Sequence, residues 1–251
     1  MDVPAVSGRR HAGRQVIPRP ADAAPGRPAP WGALPVELRR GIRLAPLAAA
    51  VAAHHRALES SERVTFDELR DPGAPAGVLV PLFEEAGEAR VVLTRRAAHL
   101  RTHTGEVSFP GGRLEPGESP EDGARREAAE EVGLDPASVE VVGRLTPLAT
   151  FSSRSAITPV VGLLAARPQL VPNPHEVERV FDVALAELAA DGVFREERWV
   201  LPGAIRTRSA RPLPADDDGG FPMWFFEVDE DTVWGATARM LVELLRLALG
   251  C

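Results

Sequence analysis

From Gly112 to Leu134 the chain reads GRLEPGESPEDGARREAAEEVGL, a loop that feeds one short, heavily charged helix. Ser119 is placed to cap that helix and Pro120 suits its first turn. Glu121 and Asp122 put negative charge where the helix dipole favours it. Asp122 also stands where a capping box carries its reciprocal side chain. Gly133 suits the left-handed residue that closes a helix. Within the helix, Glu127, Glu130 and Glu131 are spaced i, i+3 and i+4, which sets three carboxylates on one face. Ala128, Ala129 and Val132 fall elsewhere and are expected to meet a core. Arg126 precedes Glu130 by four residues and is expected to pair with it. Clustered carboxylates repel unless cations sit among them, and hard divalent ions take such oxygen ligands.

An EAAEE stretch by itself is most simply a solvated acidic face. Its surroundings change that reading. Gly112, Glu118, Arg126, Glu127, Glu130, Glu131, Gly133 and Leu134 stand at the spacing of the Nudix box, with only Ala128 small for its aliphatic position. The segment therefore resembles the Nudix hydrolase family. That resemblance implies an α/β fold, a Nudix-type α/β/α sandwich with a mixed β-sheet. It also implies a Mg²⁺ or Mn²⁺ cofactor. Glu127 and Glu131 are the implied metal ligands. Glu130 is either a third ligand or the water-activating base, and Glu130 and Arg126 are the implied catalytic residues. Glu118 is expected to brace the loop by pairing with Arg126 or Arg125.

The segment before the box, RRAAHLRTHTGEVSFPGG over residues 95–112, is long for a connector and rich in Arg and His. Taken alone, its charges read as solvated surface. Together with Val92, Leu93 and Thr94, however, Arg96, Ala97, Arg101, Gly105 and Phe109-Pro110-Gly111-Gly112 are similar to the motif that precedes the box in the coenzyme A diphosphatase branch. The match departs only in Val92, where that motif has Leu. It implies hydrolysis of the diphosphate bond of coenzyme A or acyl-coenzyme A. The products would be 4′-phosphopantetheine, or its acyl form, and adenosine 3′,5′-bisphosphate. Arg96 and Arg101 are candidate phosphate contacts. Gly111 and Gly112 are candidate substrate-binding positions, because backbone without side chains admits close approach. The resemblance makes the Gly111 carbonyl a further candidate metal ligand. Two alternatives stay open: a Nudix enzyme acting on NADH, ADP-ribose or a damaged nucleotide, and a non-catalytic ligand sensor. The intact Arg126, Glu127, Glu130 and Glu131 speak against the sensor.

The net charge of −7 excludes global attraction to nucleic acid or to an anionic membrane. All 29 basic residues are Arg, so phosphate recognition falls to Arg, His or backbone N–H groups. The single Cys, Cys251, excludes an intramolecular disulfide and a Cys zinc site. No apolar run reaches membrane-spanning length and no signal-peptide pattern opens the chain, so a cytoplasmic location is expected. The expected partner is a small-molecule substrate, with no nucleic acid and no membrane; a homodimer is left open.

Residues 1–30, rich in Pro, Ala and Arg, are expected to be a disordered tail, with the Nudix hydrolase domain over 31–251. Val36 to Val51 suggests short helices broken at Pro46. Gly77–Phe83 and Arg90–Thr94 read as a hairpin. Strands are expected at Val139–Leu148, at Ile157–Leu164 with Pro159 interrupting, and at Val180–Ala184, Trp199–Leu201 and Met223–Val228. Leu185–Ala190 is expected to be a short helix. Trp234–Leu249 is expected to be an amphipathic helix, and WGATARML within it also resembles the diphosphatase branch. The Asp216-Asp217-Asp218 run reads as solvated. Glu176 and Glu178 are both candidates for a further metal-linked carboxylate, and sequence alone does not choose between them.

Overall fold

A computed structural model describes residues 15, 17, 19–60, 73–100, 105–150, 155–200 and 221–251. The architecture grows from β2 (Ala74–Glu85). Its interior residues are buried on both faces, which is why GVLVPLF is a nearly unbroken apolar run. A two-residue turn returns the chain into β3 (Glu88–Arg96), with Glu85 opposite Glu88. Further pairing builds an eight-stranded sheet from β4 (Val107–Ser108), β5 (Gly111–Arg113), β6 (Glu140–Arg144), β7 (Leu148–Ala149), β8 (Ser155–Leu163) and β9 (Val177–Ala184). Its central path runs β4-β3-β2-β8-β6; β5 adds to β2, β7 to β8 and β9 to β3. β2 and β8 are parallel and the other pairs antiparallel, so the sheet is mixed.

Alternation along the strands feeds two cores. Leu79, Phe83, Val92 and Val160 face α3 (Pro120–Val132), packing with Ala124, Ala128 and Val132. Ala128 is fully buried, so the small residue at the box's aliphatic position lets the helix lie close to the sheet. Val78, Val80, Leu82, Val91 and Leu93 face the other way. There they meet α2 (Leu44–Ser60) and α5 (Gly235–Leu249). Two short helices, α1 (Val36–Arg40) and α4 (Leu185–Leu188), complete this side. Helices thus cover both faces of a mixed sheet, the sandwich the resemblance implied.

Beside this body lies a second, antiparallel sheet: β1 (Ala24–Pro25), β10 (Phe194–Trp199), β11 (Phe221–Val228) and β12 (Asp231–Trp234), in the order β1-β10-β11-β12. It corrects the expected tail in part. Ala24 and Pro25 pair with Arg198 and Glu197, and Arg19 donates to Glu197 at 2.8 Å. Trp31, 1% exposed, packs edge-on to Phe194 and stacks on Phe226. A segment poor in apolar residues is held here by backbone pairing and one aromatic anchor.

Three further expectations are corrected. Pro46 does not break a helix, because it lies in the first turn of the 17-residue α2, where no N–H partner is lost. Pro159 does not interrupt β8: it falls between the stretches paired with β6 and β7, and its carbonyl accepts the Leu145 N–H. The strand expected from Trp199 ends there and begins at Phe194. Asp216, Asp217 and Asp218 lie outside the described residues. Among the described residues, no helix is long and apolar enough to cross a membrane.

Candidate active site

α3 is built as its sequence demands. The Ser119 hydroxyl accepts the Asp122 N–H at 3.2 Å, Pro120 opens the helix, and Gly133 closes it at φ 66°. These ends fix the phase at which the helix presents its carboxylates to the sheet edge. Glu131 is 4% exposed and Glu127 is half-buried, whereas Glu130 projects outward. The three share a face, as the spacing predicts, but are graded in depth.

The loop before the helix closes over the deep pair. The Gly111 N–H donates to Glu131 Oε2 at 3.2 Å. A Cβ on Gly112 would stand 2.4 Å from the Glu127 carboxyl, so a larger residue here would displace that group from its place. Arg96, at the end of β3, brings Nη1 to 4.0 Å from Glu131 Oε1, and its buried Nε has no hydrogen-bond partner. Arg101 lies outside the described residues.

Arg126 is the hub of the loop. Its Nε and Nη2 donate to the two oxygens of Glu118 at 2.9 and 3.0 Å, a forked pair. Nη1 donates to Glu127 at 3.0 Å and to Glu130 at 3.3 Å, and Nη2 also reaches the Arg113 carbonyl at 3.1 Å. Arg126 therefore satisfies both expectations for it, the pairing with Glu130 and the brace with Glu118. Its donors are thus engaged by the loop and by the carboxylates of its own helix. The hydrogen bond from Arg126, with a second from the Glu115 N–H, holds the Glu118 carboxyl below its usual range. Arg125 instead donates to the Val139 carbonyl.

The deep carboxylates behave oppositely. Burial pushes Glu131 up to about 7; the Gly111 N–H and Arg96 oppose this, while the charges of Glu176 and Glu127 add to it. Burial likewise raises Glu127, again with Glu176 contributing. These couplings separate the two downstream candidates. Glu176 faces the carboxylate pair, whereas Glu178 lies 3.8 Å from Arg95 on the other side of the strand. The turn at residues 173–176 sets this up: Asn173 N–H donates to the Glu131 carbonyl and Ala97 N–H to the Glu176 carbonyl. Nothing in NPHEVE ranks the two glutamates, which strand alternation alone would put on one face; they separate because Glu176 lies in the turn before β9 and Glu178 at the register shift of the β3–β9 ladder.

Among the described residues, no three His, Cys, Asp or Glu side chains form a ready-made ligand shell. The donor chemistry nonetheless fits a hard cation. Glu127, Glu131 and Glu176 are oxygen donors, the charge of Glu176 disfavours the ionised forms of Glu127 and Glu131, and a divalent ion removes that penalty.

The family model described as NUDIX domain matches residues 73–230. The chain belongs to the Nudix family. Nudix hydrolase 3 of Caenorhabditis elegans is 34% identical over 188 residues, covering 70% of this chain and 74% of that one. An uncharacterized Nudix hydrolase NudL of Pectobacterium atrosepticum is 44% identical over 170 residues, covering 67% and 80%. The peroxisomal coenzyme A diphosphatase NUDT7 of Mus musculus is 45% identical over 127 residues, half of this chain and 53% of that protein. This Nudix protein is accordingly a hydrolase acting on a diphosphate bond of a nucleoside diphosphate derivative.

Proposed function

We propose that this Nudix hydrolase cleaves the diphosphate of coenzyme A or its acyl derivatives, using Mg²⁺ or Mn²⁺ held by Glu127 and Glu131. The observation that carries the reading is that both ends of the segment resembling the coenzyme A branch meet at one carboxylate. Arg96 approaches Glu131 to 4.0 Å from one end and the Gly111 N–H reaches it at 3.2 Å from the other. The 45% identity to the mouse coenzyme A diphosphatase supports the same substrate.

Glu127 and Glu131 would hold the ion, with Glu176 facing them as a third donor. When bound, a divalent ion neutralises and orients the diphosphate, whose own charge otherwise repels water. The chain's residues supply the rest. Arg96, with an unsatisfied Nε, offers charge-assisted donors to a phosphate oxygen. Arg101 is proposed to do the same from the adjoining loop. Gly111 and Gly112 keep the backbone clear for close approach of the phosphates. Arg126 fixes Glu127 and the loop. Glu130 is exposed and held at one oxygen by Arg126. It is proposed as a proton acceptor for the attacking water, a role that asks for positioning rather than covalent help.

Turnover of coenzyme A, 3′-dephospho-coenzyme A, NADH, ADP-ribose and nucleoside triphosphates tests the substrate. The highest kcat/KM is expected for coenzyme A or an acyl derivative. A panel led by NADH or ADP-ribose would assign the site to another nucleoside diphosphate.

A further inference from the structure

A buried residue of the second sheet lies against the end of β3 that leads to the candidate site. Asp231, the first residue of β12, is 2% exposed. Its Oδ2 accepts from Arg179 Nη2 at 2.7 Å, and its Oδ1 lies 3.1 Å from Arg95 Nη1. Arg95 and Arg179 are register partners across β3 and β9. Two guanidinium groups directly opposite each other are unfavourable unless an anion lies between them. Neither Nε has a hydrogen-bond partner, and Glu178 lies no nearer to Arg95 than 3.8 Å, so Asp231 is the main counter-charge to both.

The place of this clamp gives it a consequence for the reaction. Immediately beyond the Arg95–Arg179 pair the ladder shifts register, so that Arg96 lies opposite Val177. The ordinary alternation along β3 turns these successive side chains to opposite sides, Arg95 to Asp231 and Arg96 to Glu131. The next hydrogen bond along, from Ala97 N–H to the Glu176 carbonyl, holds the turn that carries Glu176. A register shift is weakly defined by backbone pairing alone. Here it is pinned on its ordered side by the buried carboxylate.

We propose that Asp231 is a positioning residue of the reaction: by clamping Arg95 and Arg179 it fixes the end of β3 that aims Arg96, and the turn that aims Glu176, at the carboxylate pair. The second sheet is then part of the catalytic apparatus although it supplies no group that touches the substrate. The inference rests on Arg96 being a phosphate contact.

The test is a double-mutant cycle in the full chain, with Asp231→Asn, Arg96→Ala and their combination, read as kcat and KM on the best substrate of the diphosphate panel. Hydrogen exchange of the segments 95–100 and 173–178 is followed in parallel. Asp231→Asn is expected to lower kcat/KM about ten-fold, mainly through KM, but to cost less than about two-fold once Arg96 is Ala. Exchange in both segments is expected to quicken. Equal losses in the two backgrounds, or exchange at the wild-type rate, would overturn the proposal. If Asp231→Asn does not fold, Arg95→Gln, which leaves Asp231 paired with Arg179, is expected to show the same coupling; its absence overturns the proposal equally. If the wild-type protein turns over no diphosphate, it is the functional reading that fails, and the exchange comparison alone then decides the clamp.

Discussion

Glu131 is the residue on which the site converges. It meets the Gly111 N–H, Arg96, and the charges of Glu127 and Glu176, while its own helix holds it out of solvent. Glu131→Gln keeps the shape and the Gly111 hydrogen bond but deletes the charge. It is expected to lower kcat at least about a hundred-fold, which is ~3 kcal/mol of barrier, with thermal melting within a few degrees of wild type. Glu127→Gln is expected to behave likewise. Turnover within a few-fold of wild type, at unchanged melting temperature, would remove both from the ligand set. Arg126 belongs to a different class, since its partners are Glu118, Glu127, Glu130 and the Arg113 carbonyl. Its forked pair with Glu118 also sets a sign for pH. The folded Glu118 carboxyl titrates below its unfolded value of about 4.3, so its stabilising contribution is complete above that value. It is lost as pH falls through the depressed folded value. Wild type is therefore expected to lose melting temperature below about pH 4.3 more steeply than Glu118→Gln. Parallel acid limbs would show that the fork does not stabilise the fold.

Among the elements, α3 was the most legible in sequence, because its start, stop and carboxylate phase are each written in residues a few positions apart. Ser119, Pro120 and Gly133 occupy the expected cap positions, and Glu127, Glu130 and Glu131 the expected face. Their unequal burial was not legible, since depth depends on how α3 seats against β2 and β5. The second sheet was least legible. β1 is two residues long and β12 four, too short for a periodicity signal, and the partner of β1 is distant in the chain. For the same reason the residues before Trp31 read as a tail, when their described part docks on β10. Trp31→Ala is expected to cost about 3–5 kcal/mol, measured by denaturant unfolding, because it removes a fully buried aromatic between Phe194 and Phe226. A loss under about 1 kcal/mol would mean that Trp31 does not anchor this segment, which would then rest on its backbone pairing and the Arg19–Glu197 bond. The helix over Leu44–Ser60 and the unbroken β8 make a related point. Proline is no breaker where its position in a first turn, or between two paired stretches, makes its missing N–H harmless.

At the scale of the whole molecule, the mixed sheet gathers one end of every element that matters: the end of β3, the start of β9, the Gly111-Gly112 turn and the carboxylate face of α3. Two short motifs far from each other in character, one acidic and one Arg-rich, become a single site because β3 leaves the far end of β2 antiparallel to it and so carries Arg96 back towards the end of β2 that pairs with β5. On the proposed function, that convergence brings bond, metal and substrate together in one reaction. It is tested most directly by incubating the full chain with coenzyme A and identifying the products, first with Mg²⁺ or Mn²⁺, then after chelation, then with Glu131→Gln. The expected result is 4′-phosphopantetheine and adenosine 3′,5′-bisphosphate in equal amounts with metal, and neither product after chelation or from the variant. Full turnover by metal-free protein, or cleavage that leaves the diphosphate intact, would contradict it.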